Sequence, residues 1–81
     1  MLINLAEMKS GESGVVREVE GGFWAAKRIQ QMGIRVGKKI KKERGHLRKG
    51  SQTASVDNFR VAIGFGMAEK IFIEVKRNEA G

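Results

Sequence analysis

The segment Phe23-Trp24-Ala25-Ala26-Lys27-Arg28-Ile29-Gln30-Gln31-Met32-Gly33-Ile34-Arg35-Val36-Gly37-Lys38-Lys39-Ile40 decides how this chain must fold. Ala25, Ile29 and Met32 fall at i, i+4 and i+7, the spacing of one helix face, while Lys27, Gln30 and Gln31 point elsewhere. Gly33 stands where a helix end wants a left-handed residue. Ile34 follows it and can touch Ile29 one turn back, which is the Schellman pattern. The spacing predicts a helix over 23–32. A helix of about ten residues does not persist alone in water, so it must pack on something. Val36-Gly37 then marks a turn. Lys38 to Arg44 alternates weakly around Ile40, as an exposed or edge strand would, and lysines there discourage edge-to-edge pairing.

Working outward, Ile3, Leu5 and Met8 form an apolar leading segment, and Ser10 to Gly14 is a turn cluster. Val15 to Glu20 is Val-rich and reads as a strand closed by Gly21-Gly22. On the other side, Gly45 to Gly50 is a loop tip, and Gln52, Ala54 and Val56 share one strand face. Asp57-Asn58 is a two-residue hairpin signal, and Phe59, Val61 and Ile63 share the face of the next strand, with Phe59 expected in the core. Met67 to Lys70 fits a single turn, and Ile71, Ile73 and Val75 alternate as a last strand. The prediction is a mainly β chain of about five short strands, with one short helix inserted between the first and second. Consecutive short hairpins suggest a small, strongly bent, partly open barrel. One domain over 1–81 is expected, with its core in about 2–76 and a tail at 77–81.

Composition agrees with a small globular unit. In 81 residues, 41% are hydrophobic and 11 are Gly, so the chain is no disordered basic tail despite 31% charged residues. There are no cysteines, which excludes disulfides, zinc-thiolate sites, iron–sulfur clusters and thiol chemistry. With no prolines either, every tight turn falls to Gly, Asn or Asp. The longest apolar-plus-Gly run, Val61 to Ala68, is far short of the ~20 residues of a membrane span. Met1 to Met8 lacks the basic and apolar regions of a signal peptide, so a soluble, cytoplasmic protein is expected.

The formal net charge is +7, and it is unevenly placed. Between Lys27 and Lys49 lie ten basic residues, opposed only by Glu43. Such a segment attracts an anionic partner, whether nucleic acid, anionic lipid or an acidic protein face. It can equally be a solvated face that aids solubility. The candidate partner-binding residues are Trp24, Lys27, Arg28, Arg35, Lys38, Lys39, Lys41, Lys42, Arg44, Arg48 and Lys49. Trp24 is included because Trp is enriched in binding hot spots, although core packing is its more frequent fate.

Reactive chemistry is missing. His46 is the only histidine; a metal site needs three or four ligands, and His46 with Glu43 supplies two inside a cationic loop. A nucleophile needs an adjacent base, and none is in view. Gly45 to Ser51 has the outline of a phosphate loop but lacks the lysine after the second Gly, and a strand follows where a helix should start. Gly11-Glu12-Ser13-Gly14 has the outline of an RNA-gripping loop, yet Glu12 would repel phosphate. Gly64-Phe65-Gly66 lacks the third Gly of a dinucleotide fingerprint. We therefore expect no enzyme, no catalytic residue, no cofactor and no metal site.

The order of motifs resembles the FeoA family. It is carried by Leu5-xx-Met8-xx-Gly11-xx-Gly14-x-Val16-xx-Val19, then Ile29-xx-Met32-Gly33-Ile34-xx-Gly37-xx-Ile40, then Val61-Ala62-Ile63 with Ala68-xx-Ile71-x-Ile73. The likeness runs from about Leu2 to Lys76, and its central element is the most specific part. It implies a Src-homology-3-like (SH3-like) barrel with an inserted helix and a cytoplasmic accessory role in ferrous iron uptake. The implied partner is the large membrane transporter FeoB, which carries a cytosolic GTP-binding domain. Similar domains close iron-dependent repressors, and family descriptions sometimes add transition-metal binding, for which this chain has poor ligands. Ser10 and Val36 stand where many members carry Pro, and the basic Gly45–Gly50 loop replaces a Gly-Pro turn. Those departures bear on partner choice.

The leading expectation is thus a non-enzymatic adaptor that docks on the transporter's cytosolic part, membrane-associated only through it, with weak homo-oligomers allowed. A small basic barrel binding nucleic acid is the alternative, weakened by the lack of aromatics interleaved with the cations. Peripheral attachment to anionic lipid ranks last, without membrane insertion.

Overall fold

The computed structural model describes residues 1–44 and 50–77. Its elements, in chain order, are β1 (Leu2–Asn4), a 3₁₀ turn (Leu5–Glu7), β2 (Ser13–Val19), α1 (Gly22–Gln31), β3 (Lys39–Arg44), β4 (Gln52–Val56), β5 (Phe59–Ile63), α2 (Phe65–Ala68) and β6 (Ile71–Val75). The strands form one antiparallel sheet in the order β1-β6-β2-β3-β4-β5. The molecule is mainly β, an open sheet with one helix of several turns.

Local signals hold where neighbours in the chain decide. In α1, Gly33 takes φ 87° and the Ile34 amide donates to the Ile29 carbonyl at 3.3 Å. The Gly33 amide donates to Gln30 at 2.9 Å, which completes the Schellman end. Asp57 and Asn58 take φ 52° and 72°, the doubly left-handed turn of a two-residue hairpin. At the chain start, Asn4 caps the 3₁₀ turn: its side chain accepts from the Glu7 amide, and the Glu7 side chain accepts from the Asn4 amide.

Non-local pairing corrects three expectations. Among the described residues there are six strands, because Leu2–Asn4 pairs with β6, and α1 therefore joins the second strand to the third. Lys38 to Arg44 reads in the sequence as an exposed or edge strand; Lys39, Lys41 and Arg44 are exposed, but β3 is no edge and runs between β2 and β4. Its burial alternates, with Ile40 and Lys42 turned inward. A lysine at an inward position hides the apolar alternation that marks a central strand. Phe59 was expected in the core and is 72% exposed. It does share the inner face with Val61 and Ile63, opposite buried Val56. However, it opens the last strand of the sheet, beyond the reach of the core.

Irregularities interrupt the ladder between Val16 and Glu18 against β6 and between Lys42 and Arg44 against β4. Bulges of this kind bend and twist a strand, which curls a short sheet around its contents. The core inside combines Leu5, Val16, Ile29, Ile34, Ile40, Ile63, Ile71 and Ile73 with smaller residues. At Gly14 the β2 backbone passes so close to β6 that a Cβ would collide with the Glu74 carbonyl and the Ile73 and Val75 side chains.

Candidate docking surface

Helix α1 buries only Ile29, with Met32 and Ala25 partly covered. At 100° per residue, Trp24 lies about 140° from Ile29 around the helix and Phe23 about 120° away on the other side. Both therefore point to solvent, at 77% and 68% exposure. Their rings meet edge to face, 5.2 Å apart, and the Lys27 ammonium lies 5.6 Å from the Phe23 ring centre. Trp24, Lys27, Arg28 and Gln31 line a shallow recess of about 280 Å³. No acidic residue lies in the helix's first turn, and Arg28 lies in its last. The result is an exposed aromatic pair flanked by cations, on a short helix whose other face is locked to the core.

The basic stretch divides in the fold. Lys39 and Lys41 are exposed on the outer face of β3, with Arg44 exposed beyond the bulge. Arg35 is exposed just after α1, whereas half-buried Lys38 pairs with Asp57 at 2.5 Å, bracing β3's start against the β4–β5 turn. Arg48, Lys49, His46 and most of the Gly45–Gly50 loop lie outside the described residues, as does most of the 77–81 tail. Arg60 was overlooked in the sequence because it lies outside the basic run; it sits on β5 across from Ser55, which in turn faces Lys41. The cross-strand register brings it to the same outer face. There Glu43, Arg44, Thr53 and Arg60 line a recess of about 350 Å³. The Ser55 hydroxyl donates to Glu43, and with Lys41 and Arg60 nearby it holds that carboxyl below its usual range.

Lys42 needs correction as a surface residue. It is 1% exposed, and its ammonium donates to the carbonyls of Leu5 at 2.7 Å, Met8 at 3.1 Å and Ala6 at 3.4 Å. Three donors meet three acceptors at the end of the 3₁₀ turn. Burial pushes its pKa down, and Glu12 opposes that shift. Lys42 is a structural clasp and contributes nothing to an exposed cationic face. Nearby, Arg77 grips Glu12 through two bonds of 2.8 and 2.9 Å and holds its carboxyl down to about 2.

Among the described residues, no group of three or more His, Cys, Asp or Glu side chains could hold a metal ion. No helix of the described residues is long and apolar enough to cross a membrane. The geometry leaves two features in solvent: a cation-flanked aromatic pair on α1 and a cationic outer sheet face.

The FeoA domain family matches residues 3–75. A protein of Methanocaldococcus jannaschii named "Putative Fe(2+) transport protein A" is 37% identical over 70 residues, covering 86% of this chain and 83% of its own. The crystal structure of an iron uptake regulatory protein, FeoA, superposes with a TM-score of 0.85 at 33% identity, covering 90% of this chain and 96% of that one. The zinc complex of Stenotrophomonas maltophilia FeoA, described as a procaryotic SH3 domain protein, has a TM-score of 0.76 at 20% identity over 89% of each chain.

Proposed function

We propose, from the premise that this chain belongs to the FeoA domain family, that it is a small accessory module of ferrous iron transport acting by binding alone. It docks on the cytosolic part of an FeoB-type transporter and performs no catalysis of its own. The single observation that carries the reading is the exposed Phe23–Trp24 pair on α1 with Lys27 beside it. A buried aromatic would be core; one left in water beside cations, on a helix anchored by Ile29, has the chemistry of an interface anchor. Lys27, Arg28 and Arg35 steer an acidic face toward it, so they set the association rate, while the rings set the lifetime of the complex.

The test is binding of the transporter's purified cytosolic region to this protein and to its Trp24→Ala variant. Trp24 is largely exposed and not a member of the core cluster, so the variant should fold as the parent does while affinity falls at least about tenfold. Replacing Lys27 and Arg28 by Gln should slow association and flatten its salt dependence with little effect on dissociation. Equal affinity of the Trp24 variant and the parent would remove α1 from the interface.

A further inference from the structure

A second feature lies at the other end of the sheet. β5 is the terminal strand in the order β1-β6-β2-β3-β4-β5. In a two-residue hairpin closed by the Asp57–Asn58 turn, the pair Val56–Phe59 exchanges hydrogen bonds, and the pattern alternates from there. Phe59, Val61 and Ile63 therefore spend their backbone groups on β4. The N–H and C=O groups of Arg60 and Ala62 point the other way, and no strand of the described residues lies beside them. Native edges are blunted by charged side chains, Pro or a bulge. β5 carries one charge, Arg60, and no Pro, and its register with β4 is regular, so Arg60 is what a pairing strand would have to match.

The two faces of this edge differ in chemistry. Arg60 and Ala62 face outward, where Arg60 joins Lys41 and Arg44 across the register, beside the carboxylate of Glu43; the nearby Asp57 is already paired with Lys38. Phe59 and Val61 face inward, Phe59 largely bare and Val61 half-buried. A strand laid along β5 would alternate between these two environments. We propose that the β5 edge accepts an extended segment of a partner protein in which acidic and apolar residues alternate, added as a seventh strand. Its backbone pairs with Arg60 and Ala62, its acidic side chains meet Arg60 and the cations behind it, and its apolar side chains cover Phe59. A second copy of this chain fits worse, because each copy carries a net charge of +7 and would bring its own Arg60 to the seam. This site is independent of the contact proposed for α1.

The experiment titrates the isotope-labelled protein with a capped peptide alternating Glu and Val and follows backbone amides by NMR. The Arg60 and Ala62 amides should shift and exchange more slowly with solvent, and those of α1 should not. Methylating the peptide nitrogens that face β5 should lower affinity about tenfold, the scale of one or two lost backbone hydrogen bonds. Arg60→Glu should lower it similarly, and a Lys–Val peptide should not bind. Ala62→Pro removes an edge donor that β4 does not use; should that variant fail to fold, the methylated peptide on the unaltered protein decides. Equal binding of the methylated peptide, shifts confined to α1, or a concentration-dependent dimer of the protein that occupies β5 would each overturn the proposal.

Discussion

Lys41 and Lys42 are neighbours with the same charge, and replacing each by Met should give very unequal results. Lys41 projects from the outer face, and its removal should change stability by no more than about 0.5 kcal/mol. Lys42→Met removes the ammonium that three carbonyls share. The Leu5 carbonyl keeps a bond from the Met8 amide at 3.2 Å, and the Ala6 contact is long and part-exposed. The Met8 carbonyl is the acceptor most fully deprived. An unsatisfied buried group costs ~1–3 kcal/mol, and each lost bond to a charged donor ~1.5–3 kcal/mol. The relieved burial of the ammonium offsets part of this, and Met fills the stem's volume. The balance is about 3 kcal/mol of destabilisation, or ~12–24 °C in melting temperature for a domain of this size. Far-UV circular dichroism should follow the melt, since Trp24 already stands in water and reports poorly on unfolding. Variants melting within ~2 °C of each other would show that the carbonyl clasp contributes nothing, since their predicted gap is several times larger.

Other consequences follow from the same geometry. Arg77 holds Glu12 at about 2, below its unfolded 4.5, so the pair stabilises the fold fully above pH 4.5 and the contribution fades as pH falls toward 2. Allowing for screening of a partly exposed pair, Glu12→Gln should lose about 1–2 kcal/mol at neutral pH, and its urea midpoint should be flatter than the parent's across that acid range; parallel acid curves would refute the link. Gly14→Ala forces a Cβ into the β6 backbone and should cost at least the ~1–3 kcal/mol typical of overpacking, read as a lower urea midpoint; an unchanged midpoint would mean the strands can separate there freely. Trp24 fluorescence should be water-like and fully open to iodide in the free protein, then blue-shifted and protected when the transporter's cytosolic region is added. Protection without that partner would place the ring inside the fold or inside a homo-oligomer.

Much of the fold was legible because short-range chemistry dictates it. The Schellman end at Gly33 and Ile34 and the left-handed pair Asp57–Asn58 each depend on residues adjacent in the chain. The exposed surface was legible in part. Trp24 stood out as a contact candidate with core packing the more frequent fate for such a ring; the structure leaves it in solvent, and its helical angle from Ile29 is the signal that sends it there. Arg60 was not found, because only cross-strand register through Ser55 brings it beside Lys41. Phe59 misled because its face was read correctly while its place at the end of the sheet was not readable.

By itself the chain's order of residues determined a cysteine-free β unit with one capped helix, tight glycine and Asx turns, and a concentrated positive charge. Those properties are local or additive, so they survive without knowledge of what packs on what. Three matters waited for the tertiary structure: that β3 lies inside the sheet, that Lys42 turns inward to three carbonyls while Lys41 turns out, and that β5 pairs with one strand only among the described residues. Each depends on which distant segment supplies a partner: strands on both sides of β3, the three carbonyls around the Lys42 ammonium, and β4 alone beside β5. The order of residues along one strand carries no record of what lies next to it.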